Sequence, residues 1–322
     1  MKTAIFKVVK SGLQTTVQDL GREGYQQYGI SPSGAMDHFS MQIANILVGN
    51  RLGEAVLEAA FVGPELEALC DMTVAICGGE FSPIVDGWKV PMWKSFLLKK
   101  GQLLSIGPCG SGARTYIAAA GGYDVPLVLG SKSTFLSSRF GGYDGRALKK
   151  GDMLSGFPFV QKPFKRLPLS LIPQYTKQLN VRVILGPHEE RFDEESIKRF
   201  FTEKYLVTPQ SNRMGYQLKG PKVEHITGPD IISDPVPFGG IQVPASGQPI
   251  ILMADRQTTG GYTRIGTVIS ADLPLIAQAV PDTNITFSMV SIEEAQRLYL
   301  ERRMLLKHLA IAAKNQEPSF SK

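Results

Sequence analysis

The chain has 322 residues, 43% hydrophobic and 20% charged, with a formal net charge of +6, an ordinary globular composition in a length that favours two cores over one. No apolar run approaches the ~20 residues that span a bilayer, and the opening MKTAIFKVVKSG is too interrupted by lysine for a signal peptide, so no membrane role and a cytoplasmic location are expected. Lys and Arg concentrate only in residues 161–166 and in ERRMLLKH near the C-terminus, without the basic stripe interleaved with aromatics that argues for nucleic acid.

In chain order, a first strand is expected at residues 4–9. Residues 15–37, TTVQDLGREGYQQYGISPSGAMD, then mix acid, base, amide and glycine without any period. Such a segment does not read as core; it reads as a tightly turned loop of the kind that carries function. A helix is predicted over residues 37–48, with Phe39, Ile43 and Ile46 or Leu47 on one face and a stop at Gly49 and Asn50. Strand-like runs follow at residues 55–62, 73–77, 96–98, 103–106 and 115–119. The segments LLKKGQLLSIG and ALKKGDMLSGF, at residues 97–107 and 147–157, repeat one pattern, each a turn with glycine at positive φ leading into a strand.

Pro163, Pro168 and Pro173 break any regular element, so a linker is placed at residues 162–180, between an N-terminal domain at 1–161 and a C-terminal domain at 181–322. The second domain is expected to hold strands at residues 181–185, 250–253, 267–269 and 285–289, and a helix at 193–205 capped by Asp193. A long C-terminal helix at 291–314 opens with the capping box Ser291 and Glu294, its Leu298, Leu305 and Leu309 stripe reading as core contact rather than as a dimer seam. The fold class is therefore mainly β with a few helices, in a sandwich or barrel pattern that lacks the alternation of a parallel βαβ sheet.

Several familiar devices are missing. GSKST at residues 130–134 places Ser131 between glycine and lysine and lacks the upstream glycine, so it is not a P-loop, and Lys132 reads as a surface or turn lysine. Cys70, Cys77 and Cys109 form no C-x-x-C pair and read as buried free thiols. His38, His188, His225 and His308 have no ligand spacing, and HEE at residues 188–190 fits an acidic approach to a helix, so no metal site is assigned. No G-x-S-x-G elbow anchors a serine nucleophile.

The candidate site residues are the polar heads of the glycine-rich segments. Gln18, Asp19 and Arg22 come first; Asp19 and Arg22 either pair locally to hold the loop or touch substrate directly. Ser33 and Asp37 precede the first helix, whose opening amides suit a carboxylate or phosphate, while Asp37 also suits a plain N-cap. Arg213 either clamps an anion bidentately or pairs with an acidic neighbour. Gln257 and Tyr262 lie in the second polar loop, residues 255–262, delivered by the strand at 250–253, and the two loops are expected to line one cleft.

Residues 12–50, AVLEAAFVGP at 55–64, RTYIAAAGGYDVPLVLGSKST at 114–134, VTPQSNRMGYQLKG at 207–220 and IQVPASGQPIILMADRQTTGGYTRIGTVISADLP at 241–274 together resemble, in order, the motifs of the allophanate hydrolase subunit 2 family. That family includes the C subunit of bacterial ATP-dependent 5-oxoprolinase and is related to biotin-dependent carboxyltransferase domains. The resemblance implies two cyclophilin-like β-barrel domains. It also implies a hydrolase that needs its partners: with the 5-oxoprolinase B subunit (KipI-like) the chain uses ATP, with magnesium, to phosphorylate 5-oxoproline, and the A subunit opens the ring to L-glutamate. It leaves open a regulator that counters its partner's inhibition of a sensor histidine kinase, and a urea- or allophanate-processing role. No biotin is expected on this chain, since Ala35 and Met36 are followed by Asp37 rather than lysine.

Overall fold

The computed structural model describes residues 1–315 and is mainly β with a few helices. The chain divides into two units: Met1–Arg22, Ser33–Gln174 and residues 304–315 form the first, and Glu23–Pro32 with Tyr175–Arg303 form the second. Three assignments differ from the sequence expectation: residues 162–174, expected as linker, belong to the first unit, where Leu167 is buried in its core. The first polar segment is split between the units, and the C-terminal helix is shared rather than belonging wholly to the second domain.

In the first unit the strands register as two sheets. A six-stranded sheet runs in the order Met153–Gly156, Thr3–Lys10, Glu65–Ala68, Leu103–Ser105, Ile84–Val85, Trp88–Lys89. A five-stranded sheet runs Gln14–Gln18, Val56–Ala60, Cys109–Ala119, Met72–Phe81, Ser95–Leu98. One core, including Phe6, Leu57, Leu66, Ile76, Leu104 and Ile117, is made by side chains from both sheets. A second core lies against the helix His38–Val48, where Ile43, Ile46 and Leu47 meet Ala75, Tyr116 and Ala118 of the five-stranded sheet. Leu306 of the C-terminal helix is buried in that same cluster, with Leu305 and Leu309 packed against it, while Leu298 packs on Ile269, Ala271 and Ala295 of the second unit.

The repeated Lys-Lys-Gly segments form matching turns. Gly101 and Gly151 have φ of 85° and 92°, and the amides of Gln102 and Asp152 donate to Lys99 O and Lys149 O at 3.1 and 3.2 Å. The polar residue after each glycine returns an acceptor to the turn: Lys99 N donates to Gln102 Oε1 and Lys149 N to Asp152 Oδ2.

The second unit is built on a closed barrel in the order Gln178–Leu185, Arg264–Val268, Gly240–Gln242, Ile250–Leu252, Gly215–Lys219, Tyr205–Val207, Asn284–Met289, closing by parallel pairing of the last strand with the first. Burial alternates along Gln178–Leu185 as a half-buried strand requires, and Val181 and Val183 are fully buried. Phe200, on the helix Glu194–Thr202, stacks on Phe287 at 4.4 Å, fixing that helix on the barrel. The predicted helix at 193–205 ends early because Tyr205–Val207 joins the barrel. A separate two-stranded ribbon, Asp230–Pro235 with Thr259–Tyr262, carries the second polar loop.

Candidate functional site

The polar segment that does not read as core is in large part buried. Gln14–Gln18 is a strand of the five-stranded sheet, paired along its whole length with Val56–Ala60, and Gln18, Asp19, Arg22, Ser33 and Asp37 are each under one-tenth exposed. A run of polar residues can be core when every head finds a partner, and here the partners come from far along the chain, at residues 131–134.

Those residues, Ser-Lys-Ser-Thr, form the hub of the first unit. The Asp19 carboxylate accepts from Gly21 N at 2.8 Å, Ser131 Oγ at 2.6 Å and Lys132 N at 2.6 Å, and from the Ser133 hydroxyl. Arg22, with no exposed surface, donates through Nε to Val128 O at 3.1 Å and through Nη2 to Ser133 O, and its guanidinium lies 4.7 Å from the Phe140 ring centre. Gln18 Nε2 and Ser33 Oγ both donate to Thr134 O, at 3.1 and 2.9 Å. Lys132 is not a free surface lysine: it is half-buried, and its Nζ donates to Glu54 Oε1 at 2.6 Å and to Tyr123 O at 2.9 Å.

Asp37 is the N-cap of His38–Val48, accepting from Ser40 N at 2.9 Å and Ser40 Oγ at 2.6 Å. Its own amide donates to the Tyr116 hydroxyl at 2.8 Å, and that hydroxyl donates to Glu58 Oε2 at 2.9 Å, which also accepts from Met36 N. Burial, then the charges of Glu58 and Asp37, hold Tyr116 well above the ordinary phenol range, so it stays a neutral donor. The cap, the strand carboxylate and the phenol thus form one buried chain of hydrogen bonds.

In the second unit Arg213 pairs with an acidic neighbour: its Nε and Nη2 meet Asp255 Oδ2 and Oδ1 at 2.8 and 2.9 Å, and both residues are buried. Gln257 is exposed, and its Nε2 donates to Gln242 Oε1 at 3.1 Å; Tyr262, on the ribbon, is 43% exposed. Gln242 faces Arg264 across the barrel strands, and Arg264 in turn pairs with Asp234 of the ribbon. The Arg264 amide donates to His188 Nδ1 at 3.1 Å. Residues 23–32 lie in this unit, where Gln26 Nε2 reaches Val236 O at 3.5 Å and Ser31 Oγ reaches Ala254 O at 3.4 Å.

Gln18, Asp19, Arg22 and Ser33 therefore converge on one hub, Asp37 belongs to the neighbouring Glu58–Tyr116 chain, and Arg213, Gln257 and Tyr262 sit in the other unit. Sequence reasoning missed Ser131, Ser133, Glu54, Glu58 and Tyr116. The signal available for the hub was the density of hydroxyls in GSKST, which the absence of a P-loop does not explain away. Of the cysteines, Cys77 is fully buried while Cys70 and Cys109 are half-buried, and all are free. Asp193 caps Glu194–Thr202 with Glu194 and Glu195 in its first turn, as an acidic helix start requires. Among the described residues no helix is long and apolar enough to cross a membrane.

Residues 28–289 match the family model for the carboxyltransferase domain, subdomain A and B. The chain is 37% identical to the C subunit of 5-oxoprolinase from Escherichia coli, over 95% of this chain and 98% of that protein. It is 36% identical to urea amidolyase of Saccharomyces cerevisiae, over 95% of this chain but 18% of that much longer protein. The crystal structure of the K. lactis urea amidolyase superposes with a TM-score of 0.90 at 32% identity, covering 96% of this chain and 20% of that one. With the family model matched across both units and relatives aligned along nearly the whole sequence, the chain belongs to the carboxyltransferase domain A and B family.

Proposed function

We propose that the chain is one subunit of an ATP-dependent 5-oxoprolinase that acts with the B subunit to phosphorylate 5-oxoproline, the A subunit then opening the ring to L-glutamate. The observation that carries this reading is the end-to-end likeness to the C subunit of 5-oxoprolinase, 37% identity across 98% of that protein. The chemistry is physically reasonable. A lactam carbonyl is stabilised by resonance and its nitrogen leaves poorly; converting the amide oxygen to a phosphorylated imidate makes the carbon far more electrophilic.

In this reading Gln18, Asp19, Arg22, Ser33 and Asp37 act by position. Asp19 is held by donors from Gly21 and residues 131–133, which suits a fixed loop better than a base that must take up a proton. Arg213 sets the second polar loop through Asp255, and the exposed heads of Gln257 and Tyr262 are the substrate-facing groups. ATP is the co-substrate. Magnesium would accompany the nucleotide, and no step is routed through it here. No biotin is carried here, for want of an acceptor lysine after Ala35 and Met36.

The second reading is a urea- or allophanate-type amide role, favoured by 36% identity to urea amidolyase. Reconstitution separates the two. The chain together with the A and B subunits should release ADP in response to 5-oxoproline, and omitting the chain should stop it. ADP release driven by urea, with 5-oxoproline inert, would overturn the first reading in favour of the second.

A further inference from the structure

The second unit holds a cation that its own carboxylates do not neutralise. Arg256 follows the apolar strand Ile250–Leu252 and is 6% exposed. Its Nε donates to Val236 O at 2.9 Å and its Nη1 to Met253 O at 3.4 Å, with the guanidinium 5.5 Å from the Phe238 ring centre. Among the described residues no carboxylate forms an ion pair with it, whereas Arg182, Arg213 and Arg264 of the same unit pair with Asp272, Asp255 and Asp234. Backbone carbonyls satisfy N–H groups but leave a full charge out of water, and buried charges are ordinarily paired.

The surroundings are short of acceptors. Gln242 Nε2 and Arg264 Nε are buried without a hydrogen-bond partner, on residues 3% and 7% exposed that face one another across two strands. Gln257, next to Arg256, uses its donor on the Gln242 oxygen. Nη2 of Arg256 makes no hydrogen bond among the described residues and is the open tine of the fork. Burial lowers the Arg256 pKa to about 10 with no acidic neighbour opposing it, still far enough above neutrality to keep the charge.

We propose that Arg256 is the seat of an oxyanion, the carboxylate or phosphoryl group of a small acidic ligand, bound by the guanidinium fork at the foot of the ribbon. The proposal deepens the 5-oxoprolinase reading and rests on it only for the ligand's identity, since 5-oxoproline brings a carboxylate and its phosphorylation a phosphoryl group. A planar guanidinium held by Val236 O through Nε and by Met253 O through Nη1 keeps N–H groups at its Nη1 and Nη2 end, the edge that suits such an anion.

The test is ligand protection against thermal unfolding, with the chain alone and with its partner subunits, at matched ionic strength. The probes are 5-oxoproline, inorganic phosphate and 2-pyrrolidinone, which keeps the ring and lacks the carboxylate. 5-Oxoproline or phosphate should raise the melting temperature and 2-pyrrolidinone should not; whichever acid protects names the source of the oxyanion. Arg256→Gln should weaken that protection roughly ten- to a hundredfold in concentration while melting, ligand-free, close to the wild type, because it removes an uncompensated charge. Should Arg256→Gln fail to fold, Arg256→Lys keeps the charge, loses the fork, and should still weaken binding. No protection of the wild type by either acid, alone or in the complex, or protection that survives in the folded variant, overturns the proposal. Protection by phosphate without any 5-oxoproline turnover would sink the 5-oxoprolinase reading and leave the Arg256 site standing; turnover that survives Arg256→Gln would do the reverse.

Discussion

Asp19 and Arg22 meet at opposite ends of one residue: the Ser133 hydroxyl donates to the Asp19 carboxylate, and the Ser133 carbonyl accepts from Arg22 Nη2. Asp19 also takes the Ser131 hydroxyl and the amides of Gly21 and Lys132, so the carboxylate is what ties residues 19–22 to the hub at 131–134. Asp19→Ala strands those donors in a site only 8% exposed, and should cost about 3 kcal/mol or more by the usual penalty for buried unmet donors. Asp19→Asn keeps one acceptor and should cost less. Urea unfolding of the two variants reads the order directly, and equal stability to the wild type would remove the knot from the account.

Arg22 has room only because residue 141 is glycine. A Cβ there would lie 2.2 Å from Arg22 Nη2 and 2.1 Å from Ser133 O, at a φ of 71° that side chains avoid. Gly141→Ala should therefore displace the guanidinium and destabilise the unit by roughly 1–3 kcal/mol. Arg22→Ala should destabilise as well, rather than leave the fold untouched, and Arg22→Lys should not rescue it, because an ammonium cannot reproduce the separate bonds to Val128 O and Ser133 O. Thermal melts of the three variants check this, together with 5-oxoproline-dependent ADP release in the reconstituted complex.

How legible is this in the sequence? The local signals hold where the cause is local: Asp37 and Asp193 as caps, Gly49 as a helix stop, Gly101 and Gly151 as turn glycines. The burial of Gln18, Asp19 and Arg22 is not legible, because their partners lie more than a hundred residues away and no periodicity records a hydrogen bond of that span. Tyr205 reads as helix for the same reason: its helical pattern is local, while its pairing with Ile285 in the barrel is not. Glu58 sits in a strand of otherwise apolar residues and escapes a search for polar clusters, though a lone carboxylate in a fully buried strand requires partners, here the Tyr116 hydroxyl and the buried Arg114 cation 3.9 Å away.

Arg213 and Asp255 offer a cleaner separation of charge from packing. Arg213→Ala leaves the Asp255 carboxylate buried without this partner and should cost about 3–5 kcal/mol. The double replacement Arg213→Met with Asp255→Leu removes both charges while keeping bulk, and should recover most of that loss. If it recovers stability but not turnover, the pair orients the second polar loop for chemistry; if it recovers both, the pair is scaffold alone. Chemical denaturation and ADP release on the same protein preparations distinguish these outcomes.

The histidines of the second unit set a direction for stability against pH. Burial lowers the pKa of His188 and of His225 from the ordinary value, and the nearby Arg264 charge lowers His188 further, against weaker contributions from Asp234 and Glu190. Geometry agrees for His188, whose Nδ1 must stay unprotonated to accept the Arg264 amide. Each folded pKa then lies below its unfolded value of about 6.5, so the unfolded chain binds protons first as pH falls. The contribution of both groups is complete above that unfolded value and is lost as pH drops through it toward the folded values. The melting temperature should therefore fall between pH 7 and about pH 5, and fall less steeply in His188→Gln, where an amide oxygen can still accept from Arg264 without titrating. A variant whose melting temperature falls as steeply as the wild type's would show that other groups carry the dependence.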